Sequence, residues 1–157
     1  MDETDGTRGT FLVTHVDEDA AILRDVETGQ VHTLSANPDL EEGEAIEGEL
    51  APEPPVEATW ELREIGERRA LSVAESDEPP TSQEREIAAG QGVGEITRTE
   101  RAGTGEIHVL TVPPERTDEA LSEILADEET LARAARYGVN RVEVRSEEGI
   151  VSVRYLP

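Results

Sequence analysis

Residues 100–113, ERAGTGEIHVLTVP, decide how the second half of this chain is read. A Gly-Thr-Gly turn, Gly103–Gly105, leads into a run where Ile107, Val109 and Thr111 alternate with His108, Leu110 and Val112. Apolar residues on both faces predict a central strand covered from two sides. Pro113-Pro114 ends it, because proline has no N–H to give a ladder. The same residues permit a chemical reading, since glycine-rich turns can hold anions and a histidine can move protons. Gly103, Thr104, Gly105 and His108 are therefore the candidate ligand loop of a small enzyme or ligand binder. No second catalytic group stands at a useful spacing, which favours a buried structural histidine.

Outward from this strand, TDEALSEILADEETLARAARYG (117–138) has helical periodicity. Leu121, Ile124, Leu125, Leu131 and Ala135 form an apolar stripe, acids crowd the start, and Gly138 is placed as a C-cap. One helix over 117–137 would run about 31 Å, longer than a seven-residue strand of about 23 Å. A break at Asp127, itself a good N-cap, would give two shorter pieces; the sequence leaves both possibilities open. VNRVEVR (139–145), a turn at Ser146–Gly149 and IVSVRYLP (150–157) predict a closing hairpin. Upstream, Thr81-Ser82-Gln83-Glu84 matches a capping box that opens a short helix to about Ala89. Gly90, Gly92 and Gly94 stop it, and residues 95–101 fit either a strand or irregular structure. Residues 82–157 are thus expected as a small α/β module, α-β-α-β-β, containing a right-handed βαβ crossover.

The first half reads differently. Short β segments at 10–16, 20–26, 30–35, 45–51, 58–65 and 68–74 follow one another with turn-like connections, Glu27-Thr28-Gly29 and Gly66 among them. Such spacing predicts a small all-β barrel over residues 10–74, SH3- or OB-like. Residues 36–44 are too short and proline-containing for the helix of an OB-fold, which favours the SH3-like form. Alternation puts Phe11, Val13 and His15 on one face, and sets Trp60 and Leu62 against Leu71 and Val73. Residues 1–9 read as a disordered acidic leader, and ESDEPPT (75–81) as an acidic, proline-rich linker. The fold class expected is α+β, in two domains.

Composition narrows the chemistry. The 157 residues include 37 acidic and 14 basic side chains, for a net charge of −23, and every basic residue is arginine. In molar salt the Debye length falls to about 3 Å, so repulsion between surface carboxylates is screened. A lysine-free acidic chain with regular apolar periodicity therefore reads as a folded protein of a halophilic cytoplasm. Met1 is followed by DETDGTRGT, unlike a secretory signal, and no apolar run reaches membrane-spanning length. With no cysteine, disulfides, thiolate catalysis and iron–sulfur clusters are excluded.

Lysine's absence also removes a Walker loop and Schiff-base chemistry. Gly90-Gln91-Gly92-Val93-Gly94 lacks the closing glycine of a dinucleotide fingerprint and follows a helix. His15 and His32 could face each other across the barrel, but no metal-ligand spacing supports a site. No cofactor and no metal are expected. Carboxylate pairs carry little information on so acidic a surface. Residues 131–157 alone are locally basic, with five arginines against three glutamates. Strand parity places Arg141, Arg145 and Arg154 on one face of the closing hairpin, the candidate partner-binding face. Cross-strand pairing with glutamate is the competing reading.

ERAGTGEIHVLTVP, LARAARYGV, VEVRSEEGIVSVRYLP and GTFLVTHVDEDAAILRDVETGQVHTLSANP together resemble an uncharacterised protein family of halophilic archaea. That family is a domain of unknown function, so the resemblance implies a haloarchaeal cytoplasmic protein and no activity or site. The expected function is non-catalytic binding of a macromolecule, adaptor-like, or self-association. RNA or a ribonucleoprotein is the first partner to test, and no membrane is involved.

Overall fold

A computed structural model describes residues 6–53, 59–101 and 103–157. Over the described residues the protein is a mixed α+β molecule with two five-stranded sheets and three α-helices. Its chain divides into two compact units, 1–71 and 72–157.

The first unit contains β1 (Thr7–Val16), β2 (Ala21–Asp25), β3 (Val31–Leu34), β4 (Glu44–Pro52) and β5 (Trp60–Ala70). β1 pairs antiparallel with β2 and β4, β2 with β3, and β4 with β5. β3 meets β5 in parallel at Leu34 and Trp60. The β2–β3 turn is built by Asp25, whose Oδ1 accepts the N–H groups of Glu27 (2.8 Å) and Thr28 (3.1 Å). Gly29 completes it at φ 80°, a conformation that costs glycine little.

Three expectations for this unit change. β1 starts at Thr7, inside the stretch read as a leader, whose residues 1–5 lie outside the described residues. The segment beginning at Ala58, also outside them, becomes a strand that runs on to Ala70. Gly66 does not turn that strand. It sits in a bulge where Ile46 pairs with Arg68 but Gly48 with Ile65, so its extra residue is absorbed within the ladder. A second bulge, in β1, sets Val13 opposite Leu23 and His15 opposite Ile22. The inserted residue reverses the alternation: Val16 rejoins Phe11 and Val13 on the core, and His15 turns outward, 3.8 Å from Glu42.

The core of the first unit is Phe11, Val13, Ala21, Leu23, Leu34, Leu40, Ile46 and Leu50, flanked by Val16, Trp60 and Leu62. Trp60 and Leu62 thus pack here and not against Val73, which belongs to the other sheet.

The second unit holds β6 (Ser72–Glu75), α1 (Ser82–Ala89), β7 (Ile96–Glu100), β8 (Glu106–Thr111), α2 (Thr117–Ala126), α3 (Glu128–Tyr137), β9 (Arg141–Glu147) and β10 (Ile150–Leu156). The strand order is β6-β9-β10-β8-β7, with β6 parallel to β9 and the other neighbours antiparallel. β8 and β9 therefore run the same way, joined through α2 and α3, with β10 inserted between them. The expected α-β-α-β-β module gains two strands. β7 resolves residues 95–101 as a strand, and β6 is taken from the run 68–74 read as part of the barrel.

Asp127 breaks the helical stretch in two. Its backbone is extended (φ −81°, ψ 118°) and its side chain accepts the Glu129 N–H at 2.9 Å, capping α3. Gly138, at φ 75°, closes α3 in the left-handed cap its position predicts. Two ten-residue helices of about 15 Å each fit over strands of about 23 Å, which one straight helix would overrun. Leu121, Ala134 and Val139 meet Val142, Val144, Val151, Val153 and Tyr155 of the sheet in one core. α1 covers the opposite face, where the Thr111 hydroxyl donates to Ala88 O at 2.9 Å.

Candidate functional site

The arginine face lies under α1. The α1 capping box is complete: Glu84 N–H donates to Thr81 Oγ1 at 3.2 Å and Thr81 N–H to Glu84 Oε1 at 3.0 Å. Glu84 has a second oxygen, and Arg154 donates Nη1–H to it at 2.7 Å, with that glutamate side chain only 4% exposed. Arg154 Nε lies 3.3 Å from Glu143 Oε1 without the alignment of a hydrogen bond. Arg145 donates to Glu143 at 2.8 Å, to Glu78 at 3.0 Å and to the Pro79 carbonyl at 3.4 Å. The Arg145 and Arg154 side chains are 13% and 17% exposed, while Arg141 is exposed. Two of the three arginines thus hold carboxylates of their own chain, one of which, Glu78, comes from the stretch read as a linker. The role of Glu84 is one residue-level feature that sequence reasoning missed although its signal was available: a capping-box glutamate uses one oxygen and leaves the other.

On the helix-covered face, β8 places Glu106, His108 and Leu110 opposite Tyr155, Val153 and Val151 of β10. His108 is 1% exposed, and its Nε2 stands 2.9 Å from Glu106 Oε1. The Tyr155 and Tyr137 rings close around it at 4.9 and 6.1 Å, and Arg133 donates to the Tyr155 hydroxyl at 3.3 Å. Burial is the main force holding the His108 pKa below the ordinary imidazole value, while the hydrogen bond from His108 holds Glu106 below the usual carboxylate range. The pair is then a neutral imidazole and an ionised carboxylate, so Nε2 carries the proton and donates it. Burial raises both tyrosine hydroxyls above their ordinary value. A second polar group does stand beside His108, as an enzyme would need. The histidine is nonetheless walled in by rings, and a substrate would have to part the sheet from α3 to reach it.

The loop before His108 turns β7 into β8. Gly105 has φ 107°, and a Cβ there would meet Tyr155 O at 2.0 Å, so glycine is demanded by backbone contact. Arg101 donates to Thr104 O across the turn. Gly90–Gly94 is likewise a connection. Gln91 Nε2 donates to Val109 O (3.0 Å) and Thr111 Oγ1 (3.1 Å), and its Oε1 accepts from Thr97, tying the segment to the sheet.

β7 forms one edge of the second sheet, and no strand pairs with its outer side among the described residues. Beside it Val93 is 64% and Ile96 44% exposed, with Arg98 and Glu100 also exposed. In the first unit, His32 is 2% exposed with neither ring nitrogen hydrogen-bonded, set among Phe11 and Trp60 at ring distances of 5.8 and 4.4 Å. His15 is exposed, so the two histidines do not converge.

A model of the DUF5812 family, a family of unknown function, matches residues 7–146. The chain belongs to that family. No curated protein and no solved structure matches it. The DUF5812 match takes in Glu84, Glu106, His108, Tyr137 and Arg145, and ends within β9, so Arg154 and Tyr155 lie beyond it. No helix among the described residues is long and apolar enough to cross a membrane.

Proposed function

We propose that this protein is a non-catalytic binding protein of a salt-rich cytoplasm, and that it takes a protein partner by strand addition to β7. The observation that carries this is the β7 edge: a five-residue strand whose outer side is unpaired among the described residues, with exposed Ile96 at its start and exposed Val93 in the turn before it. An edge of this kind offers backbone donors and acceptors to an extended segment, while neighbouring side chains choose it. Protein is favoured over RNA because Arg145 and Arg154 are neutralised by Glu78, Glu84 and Glu143, which removes phosphate-binding charge from the hairpin face. A ribonucleoprotein partner would then be engaged through its protein component.

The first unit is read as a small barrel of the SH3 kind. Support comes from its pairing pattern, in which each of the five strands has two neighbours, and from the lack of a helix between β3 and β4. The charge of −23 without lysine supports residence in molar salt.

Arg98→Pro removes an outward-facing β7 backbone donor, since the odd-numbered residues of β7 bond to β8, and Ile96→Lys charges the edge. Capture from lysate at about 2 M KCl, within the strongly screened regime, should return a protein partner that both variants lose and nuclease leaves bound. Unchanged partners in both variants would place the docking surface elsewhere; a partner lost on nuclease treatment would favour RNA. Arg141→Glu, on the exposed member of the arginine face, should change nothing.

A further inference from the structure

The first unit carries a cavity of about 180 Å³ whose lining includes Ser35, Pro38, Glu53, Trp60, Glu61 and Leu62. One part of the wall is apolar and aromatic, and two carboxylates stand at it: Glu53, and Glu61, whose Oε1 accepts from Arg63 Nε at 3.2 Å and whose second oxygen has the weaker claim on a ligand. Glu53 is held in place: its Oε1 accepts from Ser35 Oγ at 2.5 Å and from Thr59 Oγ1 at 2.9 Å. These bonds, Ser35 first, keep its pKa below the ordinary carboxylate range. Both fall on one oxygen, leaving Oε2 to accept from a ligand. Trp60, the only tryptophan of the chain, is braced from within by His32, which meets it edge-to-face at 4.4 Å.

A fixed carboxylate beside an indole wall recognises a cation. Aromatic faces attract positive charge, and a planar guanidinium can stack on a ring while donating two parallel hydrogen bonds to a carboxylate. An ammonium is more tightly hydrated and would lose more water to enter the same space. Acid elsewhere on residues 1–81, which carry 22 carboxylates against five arginines, raises the local concentration of cations. We propose that this cavity binds the guanidinium of an arginine side chain presented by a partner peptide, stacked on Trp60 and hydrogen-bonded to Glu53, with Glu61 adding charge. The site lies in the first unit and does not depend on the β7 reading; either can fail alone.

Trp60 supplies its own signal. Its fluorescence is followed while N-acetyl-Gly-Arg-Gly-amide is added to the full chain at the lowest salt that keeps its circular dichroism folded. Parallel titrations use the citrulline and lysine analogues, the first neutral and of the same shape. The arginine peptide should give a saturable change, at least tenfold weaker for Glu53→Gln and several-fold weaker for Glu61→Gln. Citrulline should give none, and lysine should bind at least fivefold more weakly. Glu61→Gln leaves the Ser35 and Thr59 bonds intact, so it reads the site even where Glu53→Gln disturbs the fold. No saturable change with arginine, an equal response to citrulline, or equal affinity for lysine would each overturn the assignment.

Discussion

His32 and His108 are equally buried, one in each unit, and the chain treats them in opposite ways. His108 has a carboxylate at 2.9 Å and two tyrosine rings around it; His32 has aromatic neighbours and no hydrogen bond to either nitrogen. An unsatisfied buried polar group costs on the order of 1–3 kcal/mol, whereas a satisfied one is close to neutral. The contrast therefore separates a histidine that ties elements together from one that only packs against two rings, Phe11 and Trp60. The second unit fixes three carboxylates in pairs, Glu106 with His108, Glu84 with Arg154 and Glu143 with Arg145, although the buried Ser152 hydroxyl has no hydrogen-bond partner among the described residues. Strand β10 lies at the centre of that scheme, since Arg154 faces α1 and Tyr155 faces α3.

The strongest way to break the comparison is at the turn that seals His108. Gly105→Ala forces a Cβ against Tyr155 O at a φ that side chains avoid. A loss of roughly 3 kcal/mol or more is expected, combining backbone strain with displacement of the end of β10. Thermal melting would show it, and a wild-type melting point would mean that the turn is slack.

Next in size is Glu84→Ala, which leaves Arg154 without its buried partner and removes one arm of the capping box. Breaking a buried pair from one side costs about 3–5 kcal/mol, and the partial exposure of Arg154 places this change toward the lower value. Chemical denaturation measures it. A loss under about 0.5 kcal/mol would show that the pair behaves as a surface ion pair.

The histidines themselves give smaller effects of opposite sign. His108→Leu takes one donor from Glu106, which is partly exposed and keeps its Tyr137 hydroxyl partner, and should destabilise by about 1 kcal/mol. His32→Leu removes an unsatisfied group from an apolar site and should be neutral or stabilising by about 1 kcal/mol. Both imidazoles are held below their ordinary pKa, chiefly by burial. The unfolded chain thus takes up protons near pH 6.5 that the folded chain refuses. Stability is complete above that pH and falls as pH drops toward the folded values, by up to about 1.4 kcal/mol per pH unit for each group. His32→Leu should roughly halve that slope between pH 6.5 and 5. An unchanged slope would mean that His32 does not titrate with unfolding. Glu44 and Glu106 are lowered by hydrogen bonds from Arg68 and His108, so their contribution is lost only at more acid pH, as the carboxylates protonate.

Local chemistry was well written in the sequence. Thr81–Glu84, Asp127 and Gly138 announce helix ends because capping satisfies backbone groups within a few residues. The faces of β9 and β10 follow from parity alone. What parity could not show was an inserted residue: the bulge in β1 needs no special side chain, yet it moves His15 from the core to solvent. Nor could it show that Ser72–Glu75 pairs with Arg141–Val144, since strands far apart in sequence leave no local mark of their partner. The candidate site was legible in part. His108 and the three arginines could be singled out as candidates, but their neighbours Glu84, Glu78 and Tyr137 come from other elements, and only the fold brings them together.

The central claim, a protein partner on the β7 edge, has a direct test in carbodiimide coupling at high salt followed by mass spectrometry. The chain contains no lysine, so any side-chain amine joined to one of its carboxylates belongs to the partner. Coupling is predicted at Glu95 and Glu100, both exposed beside β7, and should disappear in Arg98→Pro. Coupling that leaves Glu95 and Glu100 unmodified, or that persists in Arg98→Pro, would contradict it.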